Sequence, residues 1–358
     1  MASVLFVISK FAPGGAERVL TVLANEWHRR GVWVTVVTLK DAELYFPLSQ
    51  GIEVRKLGLT GASTTPLHAL LSNRRRVAAV RSVIREVEPD GVISFMTMTN
   101  IVTILAARGL DVTVYAAERN HPEHYEVSRL WKRLRNRVYR RGGRLVVQTE
   151  GIADYYRKHK IPVAAVIPNP VNPEFFRGER QPSAGPRTLL AAGRLNRQKG
   201  FDLLLRAFAA ARLDEGWVLR ILGEGKEREA LEALSRQLGL SGLVQMPGAT
   251  SRIADEYGRA DVFVLSSRFE GFPNVLLEAM ASGLACIAYD CPTGPGELLQ
   301  HQQNGLLVPA EHTDKMAEAI RSLALDSGTR QRLAGAARET AEFYRPENII
   351  ALWEKLVF

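Results

Sequence analysis

Short runs of β-branched and aliphatic residues alternate with amphipathic helical stretches along this chain, and the alternation starts twice. Such a pattern marks a parallel sheet wrapped by helices. In the first series the spacing predicts strands at Val4–Ser9, Val32–Leu39, Gly91–Met96, Val112–Glu118, Leu145–Gln148 and Val163–Ile167. A helix over about Ala16–Arg30 lies between the first two, with Val19, Leu20, Val22, Leu23 and Trp27 on one apolar face. The stretch Val171–Arg187, rich in Pro, Gly and charge, interrupts the rhythm and reads as a linker. A second series predicts strands Thr188–Gly193, Val218–Leu222, Leu243–Met246, Val262–Ser266, Ala285–Tyr289 and Gly305–Val308, with helices Phe201–Arg212 and Lys226–Leu238 and a closing segment Glu347–Leu356. The expectation is an α/β chain of two Rossmann-like, doubly wound domains, residues 1–172 and 173–345.

A chain of 358 residues has room for two such domains. No window reaches the roughly 18 apolar residues of a membrane span. The start, MASVLFVISK, lacks the basic opening and cleavage site of a secretory leader and reads as the first strand. The only cysteines, Cys286 and Cys291, favour reduced thiols in the cytosol over a disulfide scaffold. The net charge of +9 is uneven: residues 1–178 hold 26 Lys and Arg against 15 Asp and Glu, the remainder 21 against 23. A basic first half beside a nearly neutral second half implies an anionic partner for the first half alone.

The densest chemistry lies in Arg268–Gly283, RFEGFPNVLLEAMASG. It follows a buried-looking strand and turns into a helix near Pro273, since proline suits the first helical position. Open amides from Phe272 through Asn274 and Val275 to Leu276 would form an anion site. Glu270, in the turn with Gly271, and Glu278, eight residues on, would both reach a ligand held there. Singly, either Glu would read as a surface residue. Gly193–Gly200, GRLNRQKG, ends the first strand of the second series. Its Arg194 and Lys199 suit a diphosphate clamp, one offering aligned donors and the other a mobile point charge. The segment KFAPGGAER, Lys10–Arg18, opens the first helix, and Gly14 and Gly15 would permit close ligand approach and unusual φ values. It does not match the dinucleotide fingerprint. Gly223, Gly225 and Gly248 end two further strands, where open parallel sheets bind ligands.

Glu270 and Glu278, in E-G-F-P-x-x-x-x-E, resemble the E-x7-E signature of the retaining GT-B glycosyltransferases of family four. The resemblance runs from the Gly14-Gly15 turn to the final helix. It is nearest to bacterial transferases of the N-acetylgalactosamine type that extend lipid-linked oligosaccharides. It implies a GT-B fold in which the first domain binds the acceptor and the second the donor, with residues 346–358 crossing back onto the first. It also implies that Gly14 and Gly15 face the donor diphosphate across the interdomain cleft, while Arg194 and Lys199 hold the departing β-phosphate. The backbone at Met246–Gly248 would meet the base and Glu278 the ribose, with the sugar under Glu270 and the backbone after Gly271. Relatives place a functional His just after the strand Val112–Ala117. Here Glu118 aligns with their Glu and Arg119 with their His, and His121 stands two residues later, so either Arg119 or His121 could face the reacting sugar. An Arg stays protonated and makes a poor base.

Two basic segments remain. Ser72–Arg85 sets Val77, Val80 and Ile84 on one stripe with Arg74, Arg75, Arg76, Arg81 and Arg85 around it. Ser128–Arg144 places Leu130, Trp131, Leu134 and Val138 among eight Arg or Lys, including Lys132 and Arg133. In the domain with the charge surplus both point to a diphosphate or anionic headgroups, with Trp131 entering the headgroup layer. No zinc pattern or aromatic-rich motif speaks for nucleic acid. Neither a D-x-D nor metal-ligand spacing occurs, so neither metal nor cofactor is expected. Taken with the resemblance, which implies the retaining outcome, the sequence reads as a metal-independent transferase, cytoplasmic and peripheral on the inner face of the plasma membrane. It would move a hexose or N-acetylhexosamine from a nucleotide diphosphate, with UDP expected, to a polyprenyl-diphosphate-linked glycan. An epimerase or phosphorylase on the same fold, or a non-catalytic sugar-nucleotide binder, are the alternatives.

Overall fold

The computed structural model describes residues 2–10, 14–41, 46–59, 66–123, 128–177, 185–213 and 216–358, with the side chains of 66–70 left aside. The chain forms two compact units, Met1–Pro170 with Pro346–Phe358, and Val171–Arg345. In the first, strands β1 to β7 are Ser3–Ile8, Trp33–Thr38, Glu53–Lys56, Gly91–Phe95, Thr113–Ala117, Arg144–Val147 and Val163–Val166. They form one parallel sheet in the order β3-β2-β1-β4-β5-β6-β7. Helices α1 to α5 are Gly15–Arg29, Pro66–Val87, Thr97–Ala107, Arg129–Arg141 and Glu150–Lys158. The order is doubly wound, and its direction reverses between β1 and β4.

Central strands buried on both faces read as unbroken apolar runs, as VLFVI does in β1. Strand β3, EVRK, is a partly solvated edge and gave no apolar run to detect. Leu5, Val7, Val92 and Val114 meet Val80, Ile84, Ile101 and Ile104 in one core. Elsewhere in the unit Trp27 of α1 stacks on Phe6 with ring centroids 5.7 Å apart. The C-terminal helix closes over it. The Phe358 ring meets Trp27 edge-on at 5.7 Å, and the Tyr115 hydroxyl donates to the Leu356 carbonyl at 2.7 Å.

The second unit carries β8 to β13, Arg187–Ala192, Trp217–Leu222, Val244–Gly248, Val262–Leu265, Ala285–Asp290 and Leu306–Pro309, in the order β10-β9-β8-β11-β12-β13. Helices α6 to α13 are Glu174–Arg177, Phe201–Ala211, Arg228–Gln237, Ile253–Arg259, Asn274–Ala281, Pro295–Leu298, Thr313–Leu325 and Ser327–Glu342, and α14, Pro346–Val357, is the helix that returns to the first unit. Leu189, Ile221, Val262 and Ile287 pack with Leu204, Phe208 and Ile320, and Leu190, Phe263 and Ala288 with Tyr257, Leu276 and Met280. Part of the expected linker is therefore ordered: α6 buries Phe175 and Phe176 in this second core. Residues 178–184 of that stretch lie outside the described residues.

Two expectations for the basic helices change. Val80 and Ile84 of α2 are buried as their stripe predicts, but Arg81 does not face outward. Its Nη1 donates to the Ala106 and Arg108 carbonyls at 2.7 and 2.8 Å, satisfying the otherwise orphaned end of α3. In α4, Trp131 packs on the core of its own unit beside Leu134, whereas Leu130 is 75% exposed. The apolar residue presented outward is therefore Leu130, not Trp131. Arg135 is 1% exposed, with its guanidinium 5.7 and 5.3 Å from the rings of Tyr155 and Tyr156. Among the described residues no helix is long and apolar enough to cross a membrane.

Arg81→Ala should lower the unfolding free energy by about 1–2 kcal/mol in a urea titration, whereas exposed Arg75→Ala should change it by under about 0.5 kcal/mol. Equal effects would remove Arg81 from the capping role.

Candidate active site

The sheet of the second unit reverses between β8 and β11, and a doubly wound sheet binds ligands outside the carboxyl ends of its strands at that point. Both segments richest in chemistry leave the sheet there. After β8, Asn196 caps a short turn, Arg197–Lys199, by accepting from the Lys199 N–H at 3.3 Å. Gly200 follows at φ +62, and a Cβ there would stand 2.1 Å from the Ser266 carbonyl oxygen. Only glycine lets the loop close onto the end of β11. Ser266 Oγ then donates to the Lys199 carbonyl (2.8 Å), the Arg268 N–H to the Gln198 carbonyl (2.8 Å), and the Gln198 amide to the Phe269 carbonyl (3.0 Å).

The two loops become one platform that holds Lys199 Nζ 2.6 Å from Glu270 Oε1. Ser267 Oγ donates to the same oxygen at 2.6 Å, and Thr293 Oγ1 to the Glu270 carbonyl at 2.5 Å. Glu270 is 5% exposed. Its Oε2 remains able to accept from a ligand hydroxyl. Glu278, at 4% exposure, accepts from the Tyr257 hydroxyl at 3.2 Å and is no solvated helix face. Arg194 is exposed and makes no ion pair among the described residues.

The expected row of open amides is corrected. The Asn274 N–H donates to the Phe272 carbonyl at 3.0 Å and the Leu276 N–H to the Pro273 carbonyl at 2.9 Å. Pro273 itself has no N–H and stands at the N-cap instead of the first helical position, so two of the four expected amides, those of Asn274 and Leu276, are engaged. Thr293 and Ser267 belong to the site although no motif in the sequence singles them out. Thr293 holds φ +61 beside Gly294 at φ +93, where a Cβ would lie 2.6 Å from Pro273 Cδ. Their only signal was the Pro-Thr-Gly turn after β12.

Several glycines have packing reasons. Gly223 and Gly225 let the loop after β9 lie on the loop after β8: Cβ atoms there would stand 1.9 and 2.2 Å from the carbonyl oxygens of Gly193 and Leu195. Arg228 pins the neighbouring strand ends, donating to the Met246 carbonyl at 3.0 Å and the Gly223 carbonyl at 3.2 Å, close to Gly248 at φ +100. In the first unit, Gly14 is extended at φ −165 and Gly15 begins α1, so the unusual φ expected there does not occur. A Cβ on Gly14 would instead meet Glu17 Oε2 at 2.3 Å. Residues 11–13 of the same motif lie outside the described residues.

At the carboxyl end of β5, Glu118 is 1% exposed and accepts at Oε2 from Thr97 (2.8 Å), Tyr139 (3.0 Å) and Tyr156 (3.4 Å). Burial raises its carboxyl above the usual range. Arg119 turns into the interior of the first unit, donating to Asn169 Oδ1 at 2.7 Å with its guanidinium over the Phe95 and Trp353 rings at 5.5 and 5.8 Å. Burial draws it down to about 9, and its Nε and Nη2 have no hydrogen-bond partner among the described residues. His121 is also buried, its Nδ1 accepting from the Glu123 N–H at 3.3 Å. Met96, at the end of β4, holds φ +76 without being glycine, a strained position no sequence signal announced.

Glu118 sets a pH dependence. Its folded carboxyl titrates above its unfolded value, so its stabilising effect is full below about pH 4.3 and is lost as pH rises through the folded value. Glu118→Gln should flatten that decline in melting temperature against pH, and an unchanged slope would assign it to another group.

Residues 173–340 match the family model for glycosyl transferases group 1, and residues 14–170 that for the glycosyl transferase 4-like domain. The chain is 27% identical over 362 residues to the GalNAc-alpha-(1->4)-GalNAc-alpha-(1->3)-diNAcBac-PP-undecaprenol alpha-1,4-N-acetyl-D-galactosaminyltransferase of Campylobacter jejuni, covering 100% of this chain and 98% of that protein. It is 36% identical over 217 residues to an exopolysaccharide phosphotransferase of Streptomyces coelicolor, a match spanning 59% of this chain and 23% of that protein. The structure of Anabaena HepE in complex with UDP and glucose superposes with a TM-score of 0.84 at 20% identity, over 99% of each chain. With both of its halves matched and both sheets doubly wound, the chain belongs to the glycosyltransferases of GT-B fold, a glycosyl transferase 4-like domain followed by a group 1 domain.

Proposed function

We propose that this glycosyltransferase moves a hexose or N-acetylhexosamine, with retention, from a UDP-sugar to a polyprenyl-diphosphate-linked glycan at the cytoplasmic face of a membrane. The observation that carries the reading is the Lys199–Glu270 pair, 2.6 Å apart at the sheet reversal of the second unit. A diphosphate brought there meets the Lys199 ammonium and the exposed Arg194 guanidinium, which offset the charge gathering on the leaving group. Preorganised charge of this kind usually contributes more to such catalysis than any other effect. Glu270 orients Lys199 and offers its second oxygen to a sugar hydroxyl. Glu278, fixed by Tyr257, is the partner for the ribose.

UDP follows from the fold likeness to a protein solved with UDP and glucose. The acceptor follows from the Campylobacter relative, whose name specifies a PP-undecaprenol glycan. Arg74 and Arg75, exposed on α2, are the contacts proposed for that diphosphate. Arg81, engaged on α3, is left out of that group. In this reading the phosphate charge is carried by the basic side chains Lys199 and Arg194.

A mass-spectrometric screen of nucleotide sugars against polyprenyl-diphosphate glycans, with and without EDTA, tests the reading. One sugar added from one UDP donor, in EDTA as without it, is the expected product, with its anomeric configuration read by NMR. An epimerised UDP-sugar formed without acceptor, a requirement for inorganic phosphate, or an absolute need for a divalent ion would overturn it.

Lys199→Ala and Arg194→Ala should each lower kcat by about 10²–10³ with a smaller effect on donor Kd. Near-normal turnover in both would dismiss the clamp. Replacing Arg74, Arg75 and Arg76 by Ala should raise KM for the lipid-linked acceptor about tenfold or more while UDP-sugar hydrolysis continues. An unchanged KM would take α2 out of acceptor binding.

A further inference from the structure

The first unit carries basic residues that the proposed transfer does not use, and they gather round a groove. It opens between α3 and α4 at the amino ends of β5 and β6, with a volume of about 420 Å³. Ile104, Val114, Leu134 and Val138 form its walls, and Leu105, 37% exposed, its lip. Arg108, Arg137 and Arg141 stand along it, all exposed, and among the described residues no acidic one lines it. A second, polar cavity of about 370 Å³ shares Arg137 and Arg141 and adds Arg133, Asn136 and Arg140. Arg140 donates to the His159 carbonyl at 2.7 Å, while the side chains of Arg108, Arg133, Arg137 and Arg141 make no ion pair among the described residues.

An apolar channel that passes into a cluster of uncompensated cations matches one ligand chemistry, a hydrocarbon chain joined to a phosphate. Arginine stems cover apolar surface while their heads reach phosphate oxygens. Both volumes fall in the range of about 300–1,000 Å³ usual for small-molecule sites. We propose that this groove seats one anionic phospholipid of the bilayer, its chain between α3 and α4 and its phosphate on Arg137 and Arg141, and so holds the first unit on a membrane surface. A bilayer lipid fits better than the acceptor, because the groove lies at the amino ends of the strands and the ligand edge of a parallel sheet is the carboxyl end. The proposal rests on the membrane-surface part of the reading above and on none of its donor-site chemistry.

Sedimentation of the full chain with phosphatidylglycerol–phosphatidylcholine vesicles, against phosphatidylcholine alone, is the test. The wild type should bind only the anionic vesicles. Joint replacement of Arg108, Arg137 and Arg141 by Ala should weaken that binding about a hundredfold, at about fivefold per basic residue. Leu105→Glu, at the exposed lip and checked for an unchanged melting temperature, should also release the protein. Joint replacement of Arg74, Arg75 and Arg76 by Ala, the same loss of charge on α2, should bind within about twofold of the wild type. Transfer to a detergent-dispersed acceptor should be unchanged in the groove variants.

Equal weakening by the two triple variants would mean diffuse attraction and overturn the proposal. So would a wild type that ignores anionic vesicles, or a Leu105→Glu protein that binds normally. Groove variants that lose transfer in detergent would make the groove an acceptor site instead. Poly(U) binding that depends on the arginines and not on Leu105 would make it a nucleic-acid site. A wild type that binds anionic vesicles but transfers no sugar would overturn the proposed function and leave the groove standing.

Discussion

The close approach of Gly200 to the Ser266 carbonyl is the constraint on which the candidate site depends. A side chain at residue 200 would have to occupy the space 2.1 Å from that oxygen, so the loop after β8 could not settle on β11. Without that contact Lys199 would not reach Glu270. The pair it creates is an expensive one, because taking two charges out of water costs several kcal/mol per ion unless the remaining lone pairs are met. Ser267 meets one of them on Oε1 of the carboxylate, and Thr293 fixes the Glu270 backbone. Stranding one partner of such a buried pair costs about 3–5 kcal/mol, so the site is held by the same interaction that would serve catalysis.

The first unit buries charge by another route. Glu118 is surrounded by three hydroxyl donors and, among the described residues, no ion-pair partner, and Arg119 lies against two aromatic rings. Each ring contributes about 0.5–2 kcal/mol by cation–π attraction, less than the cost of removing a guanidinium from water. That imbalance is why burial pulls Arg119 down to about 9. It also explains the attachment of α14. Trp353 supplies one face of the arginine's cage, so the last helix of the chain belongs to the core of its first unit.

The sheets were legible because parallel strands buried on both faces leave apolar runs, and helices between them leave a 3.6-residue period. Strand β3 was not, since EVRK on a solvated edge looks like loop. The Glu270–Glu278 spacing and the Arg194–Lys199 loop could be read locally, whereas the partners Ser267, Tyr257 and Thr293 depend on contacts that spacing does not encode. Gly223 and Gly225 look like ligand-approach glycines in a sequence and turn out to clear the backbone of a neighbouring loop. Trp131 and Leu130 are adjacent in α4, and periodicity alone does not say which of two neighbouring apolar residues faces the sheet.

Net charge misleads in the same way. The surplus of the first half counts every arginine alike, yet their surroundings divide them. Arg81 caps α3, Arg140 is tied to the His159 carbonyl, and Arg119 and Arg135 are buried among rings. These four are engaged within the fold, and Arg119 and Arg135 are withdrawn from the surface. Among the arginines that remain exposed, Arg74 and Arg75 stand together on α2, and Arg108, Arg133, Arg137 and Arg141 around the end of α4. Exposed like charges set close together repel one another and contribute nothing to stability unless a counter-charge arrives. The two clusters stand on different helices with different neighbours: α2 offers charge alone, and the end of α4 offers charge beside an apolar cavity. A diphosphate needs only the first kind of surface. A phospholipid, with its chain, needs the second.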